Sequence, residues 1–222
     1  MVGRTLAPIR QRYGDFDQWI QARAETPASY RVHYLFSGDS LPVLDDSDGW
    51  IITGSSESVN DQLPWLSPVK ESITRAVDRG HPILGVCFGH QLIAVSCGGQ
   101  VELNPKGWEL GPADINLTPA GMESPLFIGF ESNVSVYQTH REVVKSLPDE
   151  AQVLATNDMG LQAFKLGQHA FGVQFHPEFN GGIMQMYLAL RSGQTLNMVP
   201  ALSDNTNISR RVMTNFIQHI AD

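Results

Sequence analysis

The chain has 222 residues, of which 42% are hydrophobic and 17% charged; this is enough apolar material for a sizeable buried core and too much for a disordered chain. A formal net charge of −8, with no cluster of Lys or Arg, argues against a nucleic-acid-binding surface and leaves a small molecule or a protein as the expected partner. No apolar run approaches the ~20 residues of a membrane span and no charged-then-apolar leader opens the chain, so no membrane association is expected. Cys87 and Cys97 are ten residues apart across an expected helix, a geometry that opposes a disulfide and points to reduced thiols and a cytoplasmic setting.

In chain order, residues 15–22 carry apolar positions at helical spacing, whereas Arg31 to Phe36 alternates as a strand would. Gly49 to Thr53 reads as a second short strand running into Gly54-Ser55-Ser56. Pro64 then opens a long helix with Trp65, Leu66, Val69, Ile73, Ala76 and Val77 on one stripe, and Gly80 ends it. The strand Pro82 to Val86 follows. Strand, loop, helix and strand in this order suit a right-handed parallel crossover. Downstream, Val101–Leu103, Ala113–Leu117, Asn133–Tyr137, Gln152–Ala155, Leu161–Phe164 and Ala170–Phe175 read as short strands between Gly, Pro and Asn turns. Helices are expected at about 182–190 and 209–220, with a polar loop over 192–207 between them. No repeat or linker divides the chain, so residues 1–222 are expected to form one domain.

Cys87 falls where the buried strand gives way to a helix containing Leu92, Ile93 and Val95. Gly85 and Gly89 flank it at minus and plus two, the spacing of a nucleophile elbow, where small neighbours permit a strained backbone and close approach of substrate. Backbone N–H groups of the helix's first turn favour a thiolate and a developing oxyanion. A buried structural thiol fits this segment equally well. Phe175-His176-Pro177-Glu178 supplies the partners a catalytic thiol needs. If the strand continues to His176, then His176 and Glu178 point to one side, with Pro177 ending the strand and fixing the turn, so that the carboxylate orients the imidazole that faces Cys87. An H-x-E element also occurs in zinc deaminases, but their P-C-x-x-C partner is absent, so no metal is assigned. His90 reads as a packing residue that the elbow turns away from Cys87, and Cys97 reads as core.

Gly85-Val86-Cys87-Phe88-Gly89-His90-Gln91 taken with Phe175-His176-Pro177-Glu178 resembles the class I glutamine amidotransferase signature, and within that family it is most similar to the amidotransferase domain of GMP synthetase and to γ-glutamyl peptidases. The resemblance implies an α/β three-layer sandwich with a mostly parallel central sheet, flavodoxin-like, plus a small antiparallel strand region. It implies that Cys87 attacks the γ-carbonyl of glutamine, that His176 moves the proton and that Glu178 orients the ring. Backbone N–H groups of Gly54 and Phe88 would form the oxyanion hole. Gln91, Ser55 and the main chain of Thr139 and His140 would hold the substrate. No cofactor is implied. The partners implied are glutamine or another γ-glutamyl compound and a separate synthase subunit that receives ammonia; the alternatives are a stand-alone hydrolase of γ-glutamyl peptides or amines and a silent binding subunit.

The chain departs from the family in three places. Only Met1 and Val2 precede Gly3 where relatives carry an apolar first strand, so either the start lies upstream or a central sheet position is left weakly paired. Thr53-Gly54-Ser55-Ser56 stands where many members have Gly-Gly-Pro, which implies a looser oxyanion strand. The chain also lacks the ATP-pyrophosphatase region and its glycine-rich loop, so synthetase activity is not expected to reside in it alone.

Overall fold

The computed structural model describes residues 1–202 and 208–221. Its helices are α1 (Ala7–Tyr13), α2 (Phe16–Arg23), α3 (Leu66–Asp78), α4 (Phe88–Ser96), α5 (Pro119–Glu123), α6 (Gly181–Ser192) and α7 (Arg211–Ala221). Its strands are β1 (Trp50–Ile52), β2 (Ile83–Val86), β3 (Gln100–Leu103), β4 (Glu109–Leu117), β5 (Asn133–His140), β6 (Glu142–Ser146), β7 (Gln152–Asn157), β8 (Gly160–Leu166) and β9 (Ala170–Val173). Seven strands make one sheet in the order β1-β2-β9-β8-β7-β4-β5, and β3 and β6 pair separately. The α/β class is as expected, but the sheet is not mostly parallel: two of its six strand pairings are parallel and four antiparallel, because short turns and not crossover helices join β7 to β8 and β8 to β9. The parallel portion is β1-β2-β9, the part that carries Cys87, and the sheet continues through β8, β7, β4 and β5 by antiparallel pairing.

β2 is apolar without alternation because both of its faces are covered. Ile83 and, opposite it on β9, Ala170 pack with the α3 and α4 residues Ile73, Leu92 and Ile93; Leu84 and Phe171 pack with Val212 and Phe216 of α7. α3 buries Leu66, Val69, Ile73 and Ala76, the stripe expected from sequence. It ends as its glycine signals: Gly80 has φ 66°, and the N–H groups of Gly80 and His81 return to Val77 and Ala76. A third apolar cluster joins Ile9 of α1, Phe16 and Trp19 of α2, and Ile183, Met184 and Tyr187 of α6 at one end of the sheet.

Three further expectations are corrected. Residues 31–36 form no strand: Leu35–Ser37 is a 3-10 turn, and the alternating Val32, Tyr34 and Phe36 pack on the α1/α6 cluster instead of entering a sheet. Tyr34 gives its N–H to Asp39 Oδ2 at 2.8 Å, removing it from any ladder. Residues 1 and 2 form no strand either. The position left unpaired lies at the edge, since β1 pairs with β2 alone, and not in the sheet centre. Met1 and Val2 instead brace that edge: the Val2 N–H donates to Thr53 Oγ1 at 3.2 Å and the Met1 carbonyl accepts from Leu35. The loop expected over 192–207 contains a 3-10 turn at Leu196–Met198, and its positions 203–207 lie outside the described residues. None of the described helices is long and apolar enough to cross a membrane.

Candidate active site

The Cys87 N–H donates to the Val173 carbonyl at 2.9 Å, continuing the β2–β9 pairing, and the Cys87 carbonyl accepts from Gln91 at 3.1 Å, opening α4. Between these two bonds the chain reverses at φ 52°, ψ −99°. Among the described residues Cys87 is the sole non-glycine with positive φ, a conformation that costs ~1–3 kcal/mol and persists only where the surroundings impose it. Here they impose it through glycines. Gly85 and Gly172 are paired in register on β2 and β9; a Cβ on Gly85 would lie 2.4 Å from the Gly89 backbone, and one on Gly172 would lie 2.6 Å from Phe164 and 2.8 Å from His90. A Cβ on Gly89 would lie 2.3 Å from the Ile52 carbonyl oxygen. Three missing side chains thus let the first turn of α4 rest directly on the sheet.

The Phe88 N–H, at the start of α4, has no acceptor among the described residues, and neither has the Gly54 N–H just beyond β1. Gly54 sits against the His176 ring, where a Cβ would come within 3.3 Å of Cε1. The segment expected to be loose is braced: Thr53 Oγ1 accepts from Val2, and Gly3 packs so closely that a Cβ there would lie 2.1 Å from Ser55 Oγ.

His176 Nδ1 and Glu178 Oε1 are 2.7 Å apart, and both residues are buried. A turn brings them together, not the continuing strand expected from sequence. β9 ends at Val173, and the Phe179 N–H returns to the His176 carbonyl at 3.3 Å with Pro177 at the second turn position, where its fixed φ belongs. Two bonds hold this stretch: Gln174 N–H to the Gln162 carbonyl (2.8 Å) and His176 N–H to the Tyr137 carbonyl (2.9 Å). The imidazole stacks on Phe179 at 4.0 Å and faces Phe16 at 6.4 Å. Burial opposes its charge, but the carboxylate of Glu178 and the sulfur of Cys87 outweigh burial and push its pKa up to about 10. Nε2 is buried and makes no hydrogen bond of normal geometry; Cys87 is the group close enough to act on it, the loose approach common in a site without substrate.

Sequence reasoning missed Gln174. This side chain is fully buried, donates through Nε2 to Cys87 Sγ at 3.6 Å and accepts at Oε1 from Gln91 Nε2 at 3.1 Å. A lone amide between Val173 and Phe175 was the available signal, since a buried polar group must find partners. Gln174→Leu removes a donor to the sulfur. Hydrogen bonds to charged groups are worth ~1.5–3 kcal/mol, so kcat/KM of any reaction at the Cys87 sulfur is expected to fall roughly ten- to a hundredfold with little change in KM; steady-state kinetics checks this, and an unchanged kcat would leave Gln174 without a role at the sulfur.

Cys87 shares the lining of one small cleft with Phe16, Ser55, Thr139, His176, Tyr187 and Arg191. The Thr139 hydroxyl is buried with no partner. The ring of His140 is committed to Glu109 Oε2 (2.8 Å) and the Glu142 carbonyl (3.0 Å), which leaves its main chain as the part available to a ligand. Gln91 is placed otherwise than expected: it is buried, it is not on the cleft wall, and its amide nitrogen donates to the Glu142 carbonyl (3.0 Å) and to Gln174. His90 packs on Phe164 at 4.9 Å, with burial pushing its pKa down to about 3, so it is neutral and structural. Cys97, at the far end of α4, is a free thiol whose pKa burial raises to about 11.

The profile of the Glutamine amidotransferase class-I family matches residues 20–191. The chain is 31% identical over 144 residues to γ-glutamyl peptidase 4 of Arabidopsis thaliana, covering 64% of this chain and 57% of that one. It is 33% identical over 140 residues to a glutamine-hydrolysing GMP synthase subunit of Picrophilus torridus, covering 62% and 71%. Its backbone superposes on a glutamine amidotransferase of Thermotoga maritima with a TM-score of 0.75 at 19% identity, covering 87% of each chain. With the elbow and sheet described above, the chain belongs to the class-I glutamine amidotransferases.

Proposed function

We propose that this protein hydrolyses the γ-amide of glutamine through a thioester on Cys87 and that the ammonia serves a separate acceptor protein. The observation that carries the proposal is the strained elbow, which presents Cys87 beside the open Nε2 of an imidazole held by Glu178. With the Cys87 proton resting on Nε2 of the ring that Glu178 keeps charged, the sulfur attacks the γ-carbonyl carbon. The Gly54 and Phe88 N–H groups hold the oxyanion, a role worth ~3–4 kcal/mol per well-placed donor. As the tetrahedral intermediate collapses, the C–N bond breaks, His176 returns the proton to the leaving nitrogen and ammonia departs. Water, giving a proton to His176, then attacks the thioester; glutamate leaves and the thiol is restored. Glu178 stabilises each imidazolium.

Hydrolysis of γ-glutamyl peptides is the second reading, favoured by the likeness to the Arabidopsis peptidase. The likeness to the Picrophilus GMP synthase protein supports a separate ammonia acceptor. Purified protein incubated with glutamine and with γ-glutamyl dipeptides, with ammonia and free amine measured side by side, separates the two: ammonia is expected from glutamine, amine release far faster than ammonia release would establish the peptidase, and silence toward both would sink the proposal.

The raised pKa of His176 has a consequence for pH. The ring must carry a proton to expel ammonia, so the alkaline limb of kcat/KM is expected near 10, above the ordinary imidazole range. Glu178→Gln removes a cause of the shift, and the limb is expected to move to lower pH. The sign for stability is the same: the contribution is complete below 6.5 and is lost as pH rises through about 10. A pH–rate profile whose alkaline limb is unmoved in Glu178→Gln would count against the assigned role of Glu178.

A further inference from the structure

Arg191 lies in the last turn of α6, half-buried, on the cleft that also holds Cys87. Its guanidinium sits over the Trp108 ring at 4.3 Å from the centroid and near the Tyr187 ring at 5.7 Å. Tyr187 is itself fixed, its hydroxyl 2.7 Å from Thr5 Oγ1. No carboxylate among the described residues pairs with Arg191, and its Nε is buried without a hydrogen-bond acceptor. Burial lowers its pKa, the sign of a cation partly stripped of water and not compensated by a partner. A guanidinium seated over an aromatic ring is a preorganised fork for a planar anion, and carboxylates match it bidentately. In a protein of net charge −8, Arg191 is the one Lys or Arg on the wall of this cleft.

Glutamine and γ-glutamyl peptides share one recognisable anion. The glutamyl unit carries an α-carboxylate, and a γ-glutamyl peptide adds a second on its leaving amino acid. The side chain expected to take this group, Gln91, has its amide donors engaged by Glu142 and Gln174 and stands off the cleft wall. We propose that Arg191 is the carboxylate-binding residue of the cleft, holding a substrate carboxylate while Cys87 attacks the γ-carbonyl. This rests on the γ-glutamyl hydrolase reading above.

The test compares wild type, Arg191→Gln and Arg191→Lys on glutamine, a γ-glutamyl dipeptide and γ-glutamyl ethylamide, whose leaving group has no carboxylate. Arg191→Gln is expected to raise KM about ten- to a hundredfold, the effect of losing a charge-assisted hydrogen bond, with kcat little changed, and Arg191→Lys is expected to recover part of the loss. A rise shared by all three substrates assigns the α-carboxylate; a rise confined to the dipeptide assigns the carboxylate of the leaving amino acid. KM values within twofold of wild type for every substrate, in variants whose thermal unfolding midpoint is unchanged, overturn the proposal. Calorimetric titration of glutamate into wild type and Arg191→Gln gives a readout that needs no turnover: weaker binding to the variant supports the carboxylate site and equal binding overturns it. If wild type turns over none of the substrates, the hydrolase reading fails while this titration still decides the role of Arg191.

Discussion

Cys87→Ala is expected to lower kcat/KM for glutamine by at least ~10³-fold, because the residues of a nucleophile–base–orienter set act as a unit and loss of the nucleophile costs about as much as loss of the whole set. Nothing nearby replaces the sulfur. Cys97 lies at the opposite end of α4, and its thiol is held protonated by burial, up to about 11. Ser55 and Thr139 reach the cleft, but an unactivated hydroxyl is a weak nucleophile. Alanine should leave the fold intact, since Cys87 contributes no disulfide and its backbone bonds to Val173 and Gln91 need no side chain. Steady-state ammonia release, with circular dichroism as the check on folding, measures the effect. A folded variant retaining a tenth or more of wild-type activity would contradict the mechanism.

The second large effect is on the scaffold. Gly85→Ala places a methyl group 2.4 Å from the Gly89 carbonyl carbon and oxygen and 2.7 Å from the His90 nitrogen. All of these are backbone atoms, so no rotamer change relieves the clash, and α4 must lift from β2. Overpacking of a tight core costs ~1–3 kcal/mol and occasionally more; the rigid neighbours put this site at the upper end. Because the displaced helix carries the Phe88 N–H, activity should fall beyond what the loss of folded protein explains. Gly80→Ala is the comparison: Gly80 has a positive φ, 66°, which Gly85 does not, and open space where a Cβ would stand, so it should show only the backbone strain of ~1 kcal/mol and keep full activity. Thermal unfolding and kinetics of both variants test this. Equal destabilisation by the two would mean that the close approach of helix to sheet at Gly85 costs no more than backbone strain at an open site.

Where sequence and structure agree, a local pattern had a single physical outcome. The run Ile83–Val86 is apolar at every position because both of its faces are covered, and Gly85 and Gly89 are glycines because backbone occupies the space of a Cβ. The pair His176 and Glu178 and the turn at Pro177 were legible, but the end of the strand was not, because the bonds that hold residues 174 and 176 after β9 ends run to the Gln162 and Tyr137 carbonyls, distant in sequence. Helix α1 escaped notice because it is short and buries only Ile9. The segment 31–36 misled for a related reason, since alternation reports which residues are buried and not whether backbone bonds run to a neighbouring strand. Gln91 departs from its expected place for a tertiary reason, and Arg191 carried no expectation from sequence. A glutamine one turn past the elbow points toward Cys87 in any isolated helix, but Gln174 and the Glu142 carbonyl intercept it, while Arg191 reads in sequence as an ordinary basic residue at a helix end until Trp108 is brought beneath it.

The central claim is that the γ-glutamyl group passes through the sulfur of Cys87. Rapid acid quench of wild-type protein with excess glutamine, followed by digestion and mass mapping, reads that step directly. The account predicts one glutamyl unit on the peptide containing Cys87, none on the peptide containing Cys97, and loss of both adduct and turnover once the Cys87 thiol is alkylated. A glutamyl unit on any other residue, or turnover that continues after Cys87 is alkylated, would contradict it.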